Sequence, residues 1–445
     1  MYQDTIVAIA TPIGEGGIGI VRLSGGEARA IAAQVFPHRL EDRRMVYGHI
    51  VDPESGEVID EALACYMAAP HSYTREDVVE LNCHGGPLPL QRVLGLVLRY
   101  GARLAQPGEF TLRAFLNGRI DLAQAEAVLD VVRAKTAAGL RVAARGLGGG
   151  LSRSVREVRA EVMAALASLT ARIDFPDDEV EEQDVCPVLE RALGAIAGLV
   201  ASADQGMVYR QGVRTAIVGR PNVGKSSLLN CLLREGRAIV TPHPGTTRDT
   251  LEEVVNIRGV PFCLVDTAGI TESKDLVESL GVERSRRAVE QADFVLLVVD
   301  AHQPLQAADG DIIDLLHGKE VLVVANKRDL GVVAALDHLP WERVSTSALT
   351  GEGLDRLEER MVAAVLGGEA VASDALLVAN PRHKAALEQA AAYLEGALSG
   401  VAQGVPDDLV TIDLTAAANA LGEITGETVS DELLETIFSR FCIGK

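Results

Sequence analysis

The sequence predicts a multi-domain chain: an α+β N-terminal domain, an all-α helical domain in two separated segments, and an α/β domain inserted between those segments. Three observations carry this. Residues 1 to about 118 alternate short β-rich runs with glycine-marked turns. From residue 121 to about 204 the texture becomes helical and alanine-rich, and it returns after residue 383. Between about residues 213 and 365 that texture disappears and apolar runs of buried-strand length replace it. One helical domain interrupted by an insert is the economical reading, because an insert with adjacent termini leaves the two halves together.

In the first zone, residues 5–10, 18–23 and 78–83 read as strands and residues 88–100 as a helix, with turns at 14–17 and 85–87. In the second, Leu122, Ala125, Val128, Leu129 and Val132 recur at helical spacing; the glycine-rich stretch 146–150 breaks the run, and residues 151–173 resume it. Helical patterns reappear at 383–398, 414–421 and 431–441. The boundaries drawn from these shifts are 1–118, 119–211, 212–368 and 369–445.

Bulk properties narrow the partners. At 445 residues, 48% of them hydrophobic and 24% charged, the composition is that of a soluble protein of roughly two to four domains. No uninterrupted apolar run approaches the roughly 18 residues that span a bilayer, and the first residues lack a basic segment followed by an apolar core, so a cytoplasmic protein away from the membrane is expected. Cysteines 65, 83, 186, 231, 263 and 442 are scattered without a Cys-x-x-Cys pair, which argues against a disulfide framework or a zinc ribbon. Cys442 stands fourth from the last residue, but Gly444 and Lys445 do not suit a prenylation box. A net charge of −21 makes the chain a poor unaided ligand for phosphate backbones, so nucleic acid would need a local basic patch or a basic partner.

The inserted domain carries the chemistry. The apolar strand 214–218 runs into Gly219-Arg-Pro-Asn-Val-Gly224-Lys225-Ser226, and a helix-like segment follows from Ser227. Strand, glycine-rich loop and helix in that order form a phosphate-binding loop. Gly219 and Gly224 let the backbone wrap the phosphates, with Asn222, Val223 and Gly224 as binding positions, and the phosphate charge is met by amide N–H groups and the helix N-terminus. Lys225 reaches the β- and γ-phosphates, and the Ser226 hydroxyl binds Mg²⁺. Four more pieces follow in order. Gly245-Thr246-Thr247 supplies a switch threonine, Thr247, for Mg²⁺ and the γ-phosphate. Asp266-Thr267-Ala268-Gly269 ends a strand and offers a carboxylate to the metal's water shell and an N–H to the γ-phosphate. Asn326-Lys327-Arg328-Asp329 ends another, and Ser347-Ala348-Leu349 comes last. The Asp329 carboxylate can accept from the N1–H and exocyclic amine of guanine, whereas adenine leaves it partly unpaired, so the nucleotide is GTP. Each motif alone could be an ordinary turn; five in sequence at strand ends describe a Ras-like P-loop GTPase domain.

Hydrolysis needs a different aligning group from the Ras type. Ile270 occupies the position where Ras-like proteins place a water-orienting Gln, and Glu272, Asp275, Glu278 and Glu283 are the acidic candidates downstream. Asn222 inside the phosphate loop adds a side-chain carbonyl, and the carbonyls of residues 241–244 could complete an oxygen cage for a monovalent cation that replaces an arginine finger.

The chain also resembles one family along its whole length, the tRNA-modification GTPases of the MnmE (TrmE) type. The carrying segments are Asp4-Thr-Ile-Val-Ala with Gly17-Ile-Gly-Ile-Val-Arg22, Thr74-Arg-Glu-Asp-Val-Val-Glu80 with His84-Gly-Gly-Pro87, Pro107-Gly-Glu-Phe110, Arg113-Ala-Phe-Leu-Asn117 leading into Asp121-Leu-Ala-Gln-Ala-Glu126, Ile173-Asp-Phe-Pro-Asp177, and the tail Phe441-Cys-Ile-Gly-Lys445. The resemblance implies an N-terminal folate-binding and dimerising domain and a split helical domain carrying the G domain. It implies a 5-formyltetrahydrofolate-type ligand at Arg22, Glu80, Arg119 and Lys445, with Arg119 standing where the family often has Lys, and a contact by the tail cysteine, Cys442. It further implies potassium held by Asn222, Thr241, His243 and Thr246 across a G-domain dimer, with Glu278 orienting the water, and GTP contacted also by Ser227. The implied activity is modification of C5 of the wobble uridine of certain tRNAs, with MnmG, an FAD- and NADH-using protein, as partner. The alternative is a regulatory or ribosome-assembly GTPase without modification chemistry; no KH-like basic tail follows Leu366 to favour it.

Overall fold

A computed structural model describes residues 4–175, 184–235, 253–265, 286–368 and 378–445. Compactness divides the chain into two units, one comprising 1–129, 147–156 and 419–445, the other 130–146 and 157–418.

The first unit is built on a six-stranded sheet of β1 (Ile6–Ile9), β2 (Gly16–Ser24), β3 (Met45–Val51), β4 (Val58–Met67), β5 (Val78–Gly85) and β6 (Arg103–Leu104), in the order β3-β4-β5-β2-β1-β6. All pairs are antiparallel except β1 with β6. Alternation along each strand sends Val7, Val21, Leu23, Ala62, Ala64, Val79 and Leu81 to one face, where helices α1 (Ala28–Val35) and α2 (Pro87–Arg99) cover them. Ile6 and Ala8 point to the other face and pack on Phe110 of α3 (Glu109–Leu116). Arg22 and Glu80 are register partners in β2 and β5, so both side chains emerge on that second face, and Cys65 of β4 lies across from Glu80. The sequence pattern locates β1, β2, β5 and α2 but not β3, β4 or α1. β4 shows why: Asp60 and Glu61 interrupt its first half and confine its apolar stretch to residues 62–67, without polar alternation.

Helix α4 (Leu122–Arg133) packs Leu122, Ala125 and Leu129 against Phe438 and Phe441, which follow from the helix at Asp431–Phe438. In the second unit, the helix Cys186–Ala201 runs against the long helix Pro381–Ala402, burying Leu189, Ala192 and Ile196. With the helix Ala203–Gln211 it makes a 26-residue stretch containing an 18-residue window of mean hydropathy 1.4, long and apolar enough by composition to cross a bilayer, a test that helices of soluble proteins also pass. The uninterrupted runs sought in the sequence do not register this stretch, because Glu190, Arg191, Ser202 and Asp204 interrupt it. Its Arg210 pairs with Asp130 and its Asp204 with Lys384, both at 2.7 Å.

The inserted module begins at β7 (Val213–Val218) and extends to the helix Leu354–Leu366. Its six-stranded sheet has the order β12-β11-β10-β7-β9-β8, from β8 (Glu253–Ile257), β9 (Val260–Leu264), β10 (Phe294–Asp300), β11 (Glu320–Asn326) and β12 (Glu342–Ser345). Only β8 is antiparallel. Apolar clusters lie on both faces, so every residue of β10 is buried; strands covered on two sides read as continuous apolar runs, which made them legible. β7 neighbours β9 on one side and β10 on the other, so the loop after it opens at the point where the strand order reverses, the usual place for a ligand crevice in such sheets.

Candidate functional site

The loop between β7 and the helix Lys225–Glu235 has the conformation that phosphate wrapping needs. Gly219 and Gly224 take positive φ values of 151° and 101°, and a Cβ on Gly224 would run into the Asn326 side-chain amide. Asn222 is also left-handed at φ 63° and sits exposed on the loop, while Val223 is fully buried as its anchor. Lys225 donates from Nζ to the carbonyls of Gly219 at 2.7 Å and Arg220 at 2.9 Å. Among the described residues it has no carboxylate partner, and burial holds its pKa below the ordinary lysine value. A cation offset only by carbonyls at a helix N-terminus is the arrangement that a polyanion completes. Ser226 and Ser227 follow Lys225 in the first turn of that helix, and both are exposed.

The carboxyl ends of β11 and β12 build the base end. Asn326, 2% exposed, donates from Nδ2 to the Val223 carbonyl at 2.9 Å. Its Oδ1 accepts from the Ala348 N–H at 3.0 Å and the Thr346 hydroxyl at 3.4 Å. One side chain thus ties the phosphate loop to the loop holding Ser347 and Ala348. Lys327 adopts a left-handed conformation, φ 66°, and its ammonium pairs with Asp300 at 2.8 Å. Burial pushes the Asp300 carboxyl up, but the Lys327 ammonium and the His302 N–H outweigh it and hold the group below the usual carboxylate range. The Ser347 hydroxyl donates to Asp329 Oδ1 at 2.5 Å, aiming that exposed carboxylate, and Leu349 is 85% exposed beside it. Asp300, Thr346 and the tying role of Asn326 were not read from the sequence; the order of strand ends was the available signal.

A second constellation lies in the first unit. Arg22 pairs with Glu80 at 2.8 Å and donates from Nη1 to the Gly444 carbonyl at 3.3 Å, so the tail meets β2. The Arg22 guanidinium stands 5.8 Å from the Phe110 ring centroid and 5.9 Å from that of Tyr73, and the Arg119 guanidinium lies 4.7 Å from the same Tyr73 centroid. Gly444, φ 97°, has no room for a Cβ, which would lie 2.6 Å from the Ile9 carbonyl. Lys445 is half-buried after it, and Cys442 is exposed. Tyr73 and Phe110 join this site without having been singled out, although both lie in or beside the segments that carried the resemblance. Thr241, His243, Gly245, Thr246, Thr247, Asp266, Thr267, Ala268, Gly269 and Glu278 lie outside the described residues, as do Ile270, Glu272, Asp275 and Glu283.

Family profiles described as the GTP-binding protein TrmE N-terminus and the MnmE helical domain match residues 5–119 and 122–442. The tRNA modification GTPase MnmE of Chloroflexus aurantiacus is 55% identical over all of this chain and all of its own length. The same-named protein of Geobacillus thermodenitrificans is 50% identical, covering 99% of each chain. Among solved structures, the G domain of the FeoB iron transporter of T. maritima is 28% identical, covers 34% of this chain and 98% of its own, and has a TM-score of 0.26. Matches that run from the first sheet through the helical segments to the tail, at half the residues or more, show that the chain belongs to the MnmE family of tRNA modification GTPases.

Proposed function

We propose that this chain is a potassium-dependent GTPase that, with an FAD-containing protein of the MnmG type, modifies C5 of the wobble uridine of certain tRNAs with aminomethyl-type groups, using a one-carbon unit from a 5-formyltetrahydrofolate-type folate. The observation that carries the nucleotide half is Asn326, which joins the loop bearing Lys225 to the loop that aims Asp329. In this reading the chain is organised as an N-terminal folate-binding and dimerisation domain at 1–118, helical segments at 119–211 and 369–445, and a G domain at 212–368. It acts in the cytoplasm as a homodimer through the N-terminal domain, with the G domains pairing during turnover.

Each residue then has a chemical task. Val223, Gly224 and Ser227 line the phosphates, Lys225 neutralises them, and Asp329 with Lys327, Ser347, Ala348 and Leu349 frames guanine. Ser226 and Thr247 hold Mg²⁺, with Asp266 on its water shell and Thr267, Ala268 and Gly269 facing the γ-phosphate. Asn222, Thr241, His243 and Thr246 hold potassium, and Gly245 lets that loop close. Asn222 fits because its exposed, left-handed position presents a side-chain carbonyl at the phosphate loop. Bound potassium supplies the positive charge that an arginine finger supplies in other GTPases. Glu278 orients the attacking water.

For the folate, Glu80 accepts from pterin donors while Arg22, Arg119 and Lys445 take its anionic end. The fit rests on an Arg22–Glu80 pair stacked against Tyr73 and Phe110, polar groups beside flat apolar rings. Folate supplies the one-carbon unit, and Cys442 is a contact of this site. An acidic chain leaves much of the tRNA contact to its partner. Mass spectrometry of tRNA from a strain lacking the protein tests the proposal: unmodified C5 positions are expected. Normal wobble uridines there would overturn it in favour of a regulatory or ribosome-assembly GTPase.

A further inference from the structure

Next to the Arg22–Glu80 pair the first unit holds a cavity of about 650 Å³, within the range of small-molecule sites. It is lined in part by Cys65, Met67, Pro70, Ser72 and Tyr73. Its rim carries Arg43, Arg75, Arg119 and His71, and no Asp or Glu lines it. In a chain of net charge −21, such a rim is a local reversal of sign. Its guanidiniums are not ion-paired among the described residues. Arg43 donates to the His71 carbonyl at 2.7 Å, Arg75 to the Asn117 carbonyl at 2.9 Å, and Arg119 lies over the Tyr73 ring. Carbonyl contacts orient a guanidinium and leave its charge unspent. Arg43 and Arg75 are also both left-handed, at φ 57° and 61°, a conformation rare for long side chains. That strain is retained at two rim positions of one cavity. Tyr73 and Cys65 connect the cavity to Arg22 and Glu80: the Tyr73 ring meets the guanidiniums of both Arg22 and Arg119, and Cys65 is the register partner of Glu80.

We propose that Arg43 and Arg75, with Arg119 and His71, form an anion subsite for the poly-γ-glutamyl tail of the folate, so that the preferred ligand is a polyglutamylated folate rather than the monoglutamate. This rests on the folate reading of the Arg22–Glu80 site. The chemistry is additive: each further γ-linked glutamate brings one α-carboxylate, and each rim arginine offers a planar fork suited to a carboxylate. Because the rim is solvent-exposed, the gain is moderate and salt-sensitive.

Equilibrium binding of 5-formyltetrahydrofolate and its triglutamate to the full-length chain tests this, by fluorescence or calorimetry. The expected result at low salt is about tenfold tighter binding of the triglutamate, with the advantage shrinking as KCl rises. Arg43→Gln and Arg75→Gln should bring the ratio towards one while monoglutamate affinity holds, and Arg75→Lys should keep most of it. The salt dependence of the unmodified chain decides the question even where a variant misfolds. Equal affinity for the two ligands in the unmodified chain overturns the tail subsite and leaves the folate reading standing. Failure of both to bind overturns the folate reading and this proposal with it. Loss of tRNA affinity in the Gln variants, with an unchanged glutamate ratio, would assign the rim to phosphate and also overturn it.

Discussion

Asn326→Ala is the sharpest test of how the nucleotide site is held. The substitution removes the amide that donates to the Val223 carbonyl at 2.9 Å and accepts from the Ala348 N–H at 3.0 Å, at a position 2% exposed. The third contact, from Thr346 at 3.4 Å, is long and adds little to the magnitude. Each of the two bonds is worth about 1 kcal/mol, and each leaves a poorly solvated backbone group behind, so the module should lose about 2–4 kcal/mol. Cutting the tie between the two loops should also weaken GTP binding by about ten- to a hundredfold, because the loops must then be ordered by the ligand. Trp341 is the chain's single tryptophan and packs at the edge of this module's core, so its fluorescence follows urea unfolding of the module selectively. A midpoint unchanged within error, or a GTP Kd within twofold of the unmodified chain, would refute the assignment of Asn326 as the strut between the loops.

Four further outcomes are expected. Asp329→Asn should weaken GTP about a hundredfold and favour xanthosine triphosphate, whose base offers a carbonyl where guanine has its amine; competition binding with both nucleotides checks this. Burial depresses Lys225 in the free protein and phosphates favour its charged form, so binding takes up a proton above the free-state pKa. Affinity should therefore be flat below that lowered value and fall as pH rises through it; calorimetry in buffers of different ionisation enthalpy would detect the uptake, and its absence at alkaline pH contradicts the sign. Gly444→Ala cannot keep the tail against the Ile9 carbonyl and should cost the folate site about tenfold in affinity, with far-UV circular dichroism unchanged. GTP turnover should fall at least tenfold, by the scale of lost electrostatic stabilisation, when sodium replaces potassium; equal rates in the two salts would remove the cation from the mechanism.

Strands β7, β9, β10 and β11 of the inserted sheet were legible because burial on two faces writes a strand as an unbroken apolar run, whereas β8, broken by Asn256 and only partly buried, was not read. β3 and β4 escaped because one face of that region is partly exposed, and Tyr47, His49, Asp60 and Glu61 dilute the pattern. Lys225 and Asp329 could be read as types at a spacing. The strut formed by Asn326 and the Asp300 anchor of Lys327 could not, since each depends on two strand ends meeting in space. In the first unit, Arg22 and Glu80 came from the resemblance. The register then gave them a physical reason to be paired, being opposite each other across β2 and β5. Tyr73, between two guanidiniums, had no periodicity to announce it.

The contact from Arg22 to the Gly444 carbonyl joins groups 422 residues apart in sequence, and this gives the site a birth order. At ribosomal speeds of about 5–20 residues per second, β5 with Glu80 emerges roughly twenty to seventy seconds before Gly444 is made. The sheet can fold in that interval with its own core complete, while the groove above it waits for the tail. A nascent chain would thus assemble its nucleotide module before closing its anionic ligand site, and the synthesis of Gly444 would determine when that ligand can first be held.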